Sequence, residues 1–76
     1  MRILLVGAGG VGSAFCAIAA RRDFFDHIVV SDYDESRAAQ AADRVRDARF
    51  SAARVDATSA DYVADLVRRH DITHVM

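Results

Sequence analysis

The segment Ile3–Gly12 constrains the fold of this chain more than any other. It begins with four branched apolar residues without polar alternation, which predicts a strand buried on both faces, as in a parallel sheet. Glycines follow at positions 7, 9 and 12 in the pattern G-x-G-x-x-G, and an alanine-rich apolar segment opens directly behind them. Asp32 lies twenty residues beyond Gly12. A preceding strand, a following helix and an acid at this distance form the context in which the pattern predicts dinucleotide binding.

Each glycine of the pattern has a distinct predicted role. Gly7 ends the strand in a tight turn, where a positive φ would exclude most other residues. Gly9 lets a pyrophosphate lie against the backbone, and Gly12 lets the next helix pack close to the strand. The unpaired N–H groups and the positive dipole end of that helix would then face the phosphates. The alternative is a glycine-rich turn that binds nothing. The predicted cofactor-binding residues of this loop are Gly7, Ala8, Gly9, Gly10, Val11 and Gly12.

The whole chain limits the classes of protein that fit. Its 76 residues make at most one small domain, and a net charge of −1 gives no footprint for nucleic acid or an anionic membrane. A single cysteine excludes an internal disulfide, and no apolar run is long enough to span a bilayer. Met1 leads straight into the first strand with no signal peptide, so we expect a cytoplasmic protein. The three histidines do not cluster at metal-ligand spacing, and we predict no metal site.

Three repeats of strand and helix organise the rest of the chain. We predict a Rossmann-type doubly wound parallel sheet of the α/β class, limited to its N-terminal half (β-α-β-α-β-α-β) with strand order 3-2-1-4. The third strand is less apolar than the first two, which fits the edge of that sheet. Predicted helices span about Gly10–Arg22, Glu35–Asp47 and Ala60–His70; the strands after the first span Ile28–Ser31, Phe50–Val55 and Ile72–Met76.

The first predicted helix carries two stripes that could meet the sheet. We expect Val11, Phe15 and Ile18, at helical spacing, to pack on the sheet. Gly12, Cys16, Ala19 and Ala20 form a second, small-residue stripe that permits close approach. Cys16 is interpreted as a small buried hydrophobe and not as a reactive thiol.

The end of the second strand carries the residues expected to select the cofactor. Asp32 would accept the hydroxyl groups of the adenosine ribose and would repel the 2′-phosphate of NADP, so NAD is preferred. Tyr33 and Asp34 follow, and Asp34 is also a good N-cap for the second helix. Arg37 could pair with a 2′-phosphate, which leaves NADP possible. All four residues are predicted to contact the cofactor.

The turn after the third strand is expected to lie beside the adenine. Asp56 and Ala57 would then border the base; the alternative is that Asp56 only shapes the turn. The sequence Thr58-Ser-Ala-Asp61 fits a capping box, in which Thr58 caps the third helix and Asp61 reaches back. Capping explains Thr58 without a ligand.

The chain resembles the N-terminal dinucleotide-binding region of the saccharopine dehydrogenase-like family. The resemblance lies in the segments Met1–Gly12, Val30–Asp34 and Arg54–Thr58, and above all in the doubled glycine and the Val-Asp-Ala-Thr turn. It implies an NAD(P)-dependent oxidoreductase of amino-acid metabolism, acting on C–N bonds at a secondary amine or imine. It further implies that residues 1–76 are the N-terminal portion of the NAD(P)-binding domain. The nicotinamide half of the cleft and a substrate domain, through which the parent enzyme would form a homo-oligomer, would lie outside this chain. Either the chain is a fragment of such an enzyme, or it is a minimal module that borrows the rest from a partner.

No residue of this chain is therefore assigned a catalytic role. The competing hypothesis is a regulatory domain of the potassium-uptake type, which binds NAD or AMP without turning it over. A short-chain reductase fits less well, because its glycine turn usually has wider spacing.

Overall fold

Strands and helices alternate along the whole chain in the computed structural model, which describes residues 1–76. The four strands form one parallel sheet in the order β3-β2-β1-β4, which confirms the predicted Rossmann-type topology and the edge position of β3. The elements are β1 Arg2–Val6, α1 Gly10–Ala19, β2 His27–Asp32, α2 Glu35–Val45, β3 Phe50–Arg54, α3 Ala60–Arg69 and β4 His74–Val75.

The register of the sheet brings the carboxyl ends of its strands to one edge. Val6 of β1 lies opposite Ser31 of β2, and Asp32 lies opposite Arg54 of β3. The pairing continues one residue past β1, because the Gly7 N–H donates to the Ser31 carbonyl over 2.8 Å. The loops that follow β1, β2 and β3 therefore leave the sheet side by side, where a doubly wound fold binds its ligand.

The sheet is covered on both faces, as the unbroken apolar strands predict. On one face Ile3, Leu5, Ile28 and Val30 pack with buried residues of α1 and α2. On the other face Leu4 and Val29 pack with Leu66 of α3. On α2, the three alanines at positions 38, 41 and 42 are buried in this core.

The predicted packing face of α1 is wrong for Val11 and Ile18 and holds only for Phe15. Val11 is 88% exposed and Ile18 is 60% exposed, while Phe15 is half-buried against the core. The small-residue stripe faces the sheet instead, with Gly12, Cys16 and Ala19 buried. The reason is steric: α1 approaches the end of β1 so closely that only small side chains fit between them.

Two predicted helix ends and one predicted N-cap differ from the structure: the second helix ends at Val45 and not at Asp47. The first helix ends at Ala19, and the main chain has left the helix at Arg22, the predicted end. At the start of α3 the N-cap is Ser59, whose Oγ accepts the Tyr62 N–H over 3.2 Å, and not Thr58. Thr58 instead donates its hydroxyl and its N–H to Asp56 Oδ1 (2.6 and 3.0 Å). Its side chain therefore stabilises the loop between β3 and α3 and does not cap the helix.

Candidate dinucleotide-binding site

Two glycines of the loop between β1 and α1 are required by the fold itself. Gly7 has a φ of +98°, a conformation that L side chains rarely adopt. A Cβ on Gly12 would lie 2.3 Å from the Gly7 carbonyl oxygen, and Cβ atoms in proteins do not approach another atom this closely. The turn and the close approach predicted for these two positions are therefore confirmed. Neither feature needs a ligand.

The other two glycines of the loop have no such requirement. A Cβ on Gly9 or on Gly10 would meet no atom within 4 Å. Gly9 has a φ of −69°, which any residue can adopt. Conformation and packing thus leave both positions free to carry side chains, and the backbone there is open on its outer side. This is the surface on which a pyrophosphate would lie in the predicted mode of binding.

The first turn of α1 offers unneutralised donors beside this open backbone. Gly9 is the N-cap residue, no side chain caps the helix, and its first turn contains no acidic residue. The first N–H groups of a helix have no partner within the helix, and they carry the positive end of its dipole. An anion at Gly9 and Gly10 would contact these N–H groups and the positive end of the helix dipole.

A cleft of about 550 Å³ lies along the apolar side of the loop. It runs between the end of β1, the first turns of α1 and the end of the chain at Met76, which follows β4. The order β3-β2-β1-β4 reverses direction between β1 and β4, so this cleft is at the switch point of the sheet. Its lining residues are Leu5, Val6, Gly7, Gly9, Gly10, Val11, Gly12, Phe15 and Met76.

A second, polar cleft of about 280 Å³ lies between the loop and α2. Arg37, Gln40 and Arg44 of α2 line one wall, and Ala8, Gly9, Gly10 and Ser13 line the other. Arg37 and Arg44 are seven residues apart, two helical turns, which places both guanidinium groups on the side of α2 that faces the loop. The loop therefore has an apolar cleft on one side and a cationic one on the other.

Asp32 ties the end of β2 to the glycine loop. Its Oδ2 accepts the Ala8 N–H over 2.9 Å, and its Oδ1 accepts the Asp34 N–H over 2.9 Å. These two backbone donors, in that order, lower the pKa of the Asp32 carboxyl, with a smaller contribution from Arg37. The side chain is thus an anion at neutral pH, and each oxygen keeps a lone pair for a further donor. The structure brings Asp32 to the loop, as its spacing from the glycines predicts.

Three predicted site residues follow Asp32 in the chain: Tyr33, Asp34 and Arg37. Tyr33 is 67% exposed, and Asp34 caps α2 by accepting the Ser36 N–H over 3.0 Å, which confirms the predicted cap. The Ser36 hydroxyl and N–H lower the pKa of Asp34. Arg37 has its Nε 3.9 Å from Asp34 Oδ2 across an exposed surface. Its guanidinium remains available to the polar cleft.

Asp56 and Ala57 lie in the turn that follows β3. Asp56 Oδ1 holds the Thr58 hydroxyl and N–H, which lower the pKa of the Asp56 carboxyl. These bonds match the alternative in which Asp56 shapes its own turn. A contact of Asp56 and Ala57 with the adenine stays a prediction, as do the ligand contacts of the other selected residues.

Three side chains around this site were not predicted from the sequence. Arg54, the last residue of β3, places its guanidinium carbon 4.6 Å from the centroid of the Tyr33 ring and 5.8 Å from that of Tyr62. The sequence alone gives no signal for this contact, because it depends on the sheet register that aligns Arg54 with Asp32. Gln40 and Arg44 line the polar cleft, and the spacing of Arg44 from Arg37 is the sequence signal that puts both on one side of α2.

Other features of the chain do not extend the site. Cys16 is fully buried, and burial raises the pKa of its thiol, in line with its interpretation as a core residue. No three of the His, Cys, Asp and Glu side chains are grouped so as to hold a metal ion. None of the helices combines the length and the apolar character that crossing a membrane requires.

Comparison of the chain with models of known protein families identifies its family. The family model described as the saccharopine dehydrogenase NADP binding domain matches residues 3–73, nearly the whole chain. A search of curated proteins returned no match. The matched range includes the glycine loop, Asp32 and all three helices. The chain therefore belongs to the saccharopine dehydrogenase NADP binding domain family, a family of dinucleotide-binding portions of oxidoreductases.

Proposed function

We propose that this chain binds NAD as the dinucleotide-binding portion of an oxidoreductase of amino-acid metabolism. One observation carries the proposal: the loop has two glycines, Gly9 and Gly10, that neither conformation nor packing requires. They lie where the uncapped start of α1 meets the end of β1. A glycine that the fold does not need is explained by a ligand that takes the space of its side chain.

The chain would hold the adenosine half and the pyrophosphate of the cofactor. Backbone N–H groups at the start of α1 would bind the phosphates, and the free lone pairs of Asp32 would accept ribose hydroxyl groups. The cofactor itself supplies hydride transfer at its nicotinamide ring. Gly7, Ala8, Val11 and Gly12 would shape the loop around the pyrophosphate.

The charge of Asp32 supports NAD over NADP. An ionised carboxylate at the ribose gains about 1.5–3 kcal/mol from a hydroxyl donor, whereas it repels a 2′-phosphate. NADP is the second candidate, because the family description names it and because Arg37 and Arg44 line the cleft beside the loop. We place NAD first because the Asp32 carboxylate is bonded to the loop itself through the Ala8 N–H.

We further propose that residues 1–76 are the N-terminal portion of the cofactor domain of a cytoplasmic enzyme. The nicotinamide half of the cleft, the site for an amino-acid-type substrate and the surface for forming a homo-oligomer would be supplied by further parts of the parent protein. A sensing domain that binds NAD or AMP would use the same loop. Turnover of NAD by the full-length protein separates these two functions.

Titration with NADH and NADPH tests the proposed cofactor. In Asp32→Ala we expect the Kd for NADH to rise about tenfold or more, since a charged hydrogen bond is lost. The Kd for NADPH should stay constant or fall. Asp43→Ala, which removes an exposed carboxylate from α2, is the matched control and should change neither value. Equal affinity for both cofactors in the wild type, unchanged in Asp32→Ala, would contradict the proposed preference. A loss of NADPH binding in Arg37→Ala and Arg44→Ala would favour NADP instead.

A further inference from the structure

Arg54 joins the loop after β2 to the start of α3 through two aromatic contacts. Its guanidinium carbon lies 4.6 Å from the Tyr33 ring centroid and 5.8 Å from the Tyr62 ring centroid, both within the range of cation–π attraction. Tyr62 is anchored in the first turn of α3, where its N–H donates to Ser59 Oγ. The arginine therefore fixes an otherwise exposed loop tyrosine to a rigid part of the fold.

The position of Tyr33 suits a stacking role. Tyr33 directly follows Asp32, and Asp32 is the register partner of Arg54 across β2 and β3. Tyr33 belongs to neither hydrophobic cluster and is 67% exposed, although one face of its ring is covered by the guanidinium. An aromatic ring held at the carboxyl edge of the sheet, beside the acid expected to bind the ribose, presents a flat apolar surface to whatever base that ribose carries.

We infer that Arg54 is a positioning residue that holds Tyr33 as a stacking platform for the adenine base. The inference rests on the proposed function, because it requires an adenosine dinucleotide at this edge of the sheet. Aromatic side chains bind nucleobases by stacking, and every base offers a face for it. The guanidinium restricts the Tyr33 ring before the ligand arrives, so less side-chain freedom is lost on binding. The base then stacks on the face of the Tyr33 ring that the guanidinium leaves free.

The chain contains two tyrosines and no tryptophan, which gives a direct optical test. In Tyr62→Phe, Tyr33 is the only tyrosine, and the ring beneath Arg54 is kept. Tyrosine emission is measured in this variant during titration with AMP, and binding is measured independently by calorimetry with AMP and with NAD. The same titrations are repeated with Arg54→Ala and Arg54→Lys added, and with Arg68→Ala as a control that removes an exposed arginine of α3.

We expect AMP to quench Tyr33 emission saturably in Tyr62→Phe. Adding Arg54→Ala should weaken AMP binding about two- to fivefold and reduce the quenching at saturation, since an exposed cation–π contact is lost. Arg54→Lys should restore part of both, and Arg68→Ala should alter neither. Tyr33→Ala should weaken AMP binding by about tenfold, as expected for loss of base stacking. The amount of Tyr33 quenching at saturating AMP is decisive, because a merely structural role of Arg54 would not change this amount.

Two failures are distinguishable. Calorimetric binding of NAD and AMP with no change in Tyr33 emission, or with the same amplitude after Arg54→Ala, would overturn the inference and leave the proposed function intact. The absence of any NAD binding to the folded wild-type chain would overturn the proposed function and this inference with it.

Discussion

The two kinds of glycine in the loop predict opposite effects of the same substitution. In Gly12→Ala the new Cβ would lie 2.3 Å from the Gly7 carbonyl oxygen, so α1 must move away from β1 or the turn must distort. Overpacking of this kind costs about 1–3 kcal/mol. Domains of this size have a free energy of unfolding of about 4–11 kcal/mol, so the loss would be a large fraction of the total.

Gly9→Ala should leave the fold intact and remove binding. Its Cβ meets no atom within 4 Å, and its φ of −69° suits alanine. Reduced freedom of the unfolded chain would stabilise the variant by about 0.4–1 kcal/mol, and a poorer N-cap residue would offset a similar amount. The free energy of unfolding should therefore stay within about 1 kcal/mol of the wild type. The added methyl group would, however, occupy the space proposed for the pyrophosphate, so the Kd for NAD should rise at least tenfold.

Chemical denaturation followed by circular dichroism, together with calorimetric titration of NAD, measures both quantities on the same samples. We expect Gly12→Ala to lower the free energy of unfolding and Gly9→Ala to lower the affinity for NAD. Wild-type affinity in Gly9→Ala would refute the assignment of the open backbone to the ligand. Wild-type stability in Gly12→Ala would refute the steric explanation of the α1 packing face.

Two further predictions concern stability. Ser59→Ala should lower the free energy of unfolding by about 1 kcal/mol, as loss of an N-cap does, whereas Thr58→Ala should cost about 0.5 kcal/mol or less; a larger loss in Thr58→Ala would contradict the assignment of the cap to Ser59. The hydrogen bonds from Arg49 lower the pKa of Asp47 to about 2, so the stability from this pair is complete above about pH 4 and is lost as the pH falls toward 2. Denaturation of the wild type and of Asp47→Asn between pH 5 and pH 2 should show a shallower acid decline in the variant, and equal declines would contradict it.

The sequence was sufficient for the topology because the relevant signals are local. Unbroken apolar runs identify strands covered on both faces, and the glycine pattern identifies the turn that joins β1 to α1. The meeting of Asp32 with the loop also followed from the sequence, since parallel strands bring their carboxyl ends to one edge. The positive φ of Gly7 and the close approach at Gly12 were predictable for the same reason.

The packing face of α1 could not be decided from periodicity. The stripe of Val11, Phe15 and Ile18 and the stripe of Gly12, Cys16 and Ala19 both recur at helical spacing. Which of them meets the sheet depends on the distance between helix and strand, and a periodic pattern does not contain that distance. The contact at Gly12 sets it, and Val11 and Ile18 then face outward.

The cap of α3 and the role of Arg54 escaped prediction for a different reason. Thr58 and Ser59 are adjacent and both residue types cap helices, and in the structure Thr58 is bonded to Asp56 while Ser59 caps α3. Arg54 meets Tyr33 only because the sheet register aligns Arg54 with Asp32. Both outcomes depend on contacts between side chains that only the folded chain brings together.

The most direct measurement is the set of backbone amide chemical shifts of the ¹⁵N-labelled chain during titration with NAD. If the open glycine loop binds the pyrophosphate, saturable shifts will be largest at Gly9, Gly10 and Val11, with a smaller group around Asp32. In Gly9→Ala they will require at least tenfold more NAD, while the rest of the spectrum remains that of a folded protein. Saturable shifts confined to other parts of the chain, or a loop whose amides do not respond to millimolar NAD, would contradict binding of the dinucleotide at this site.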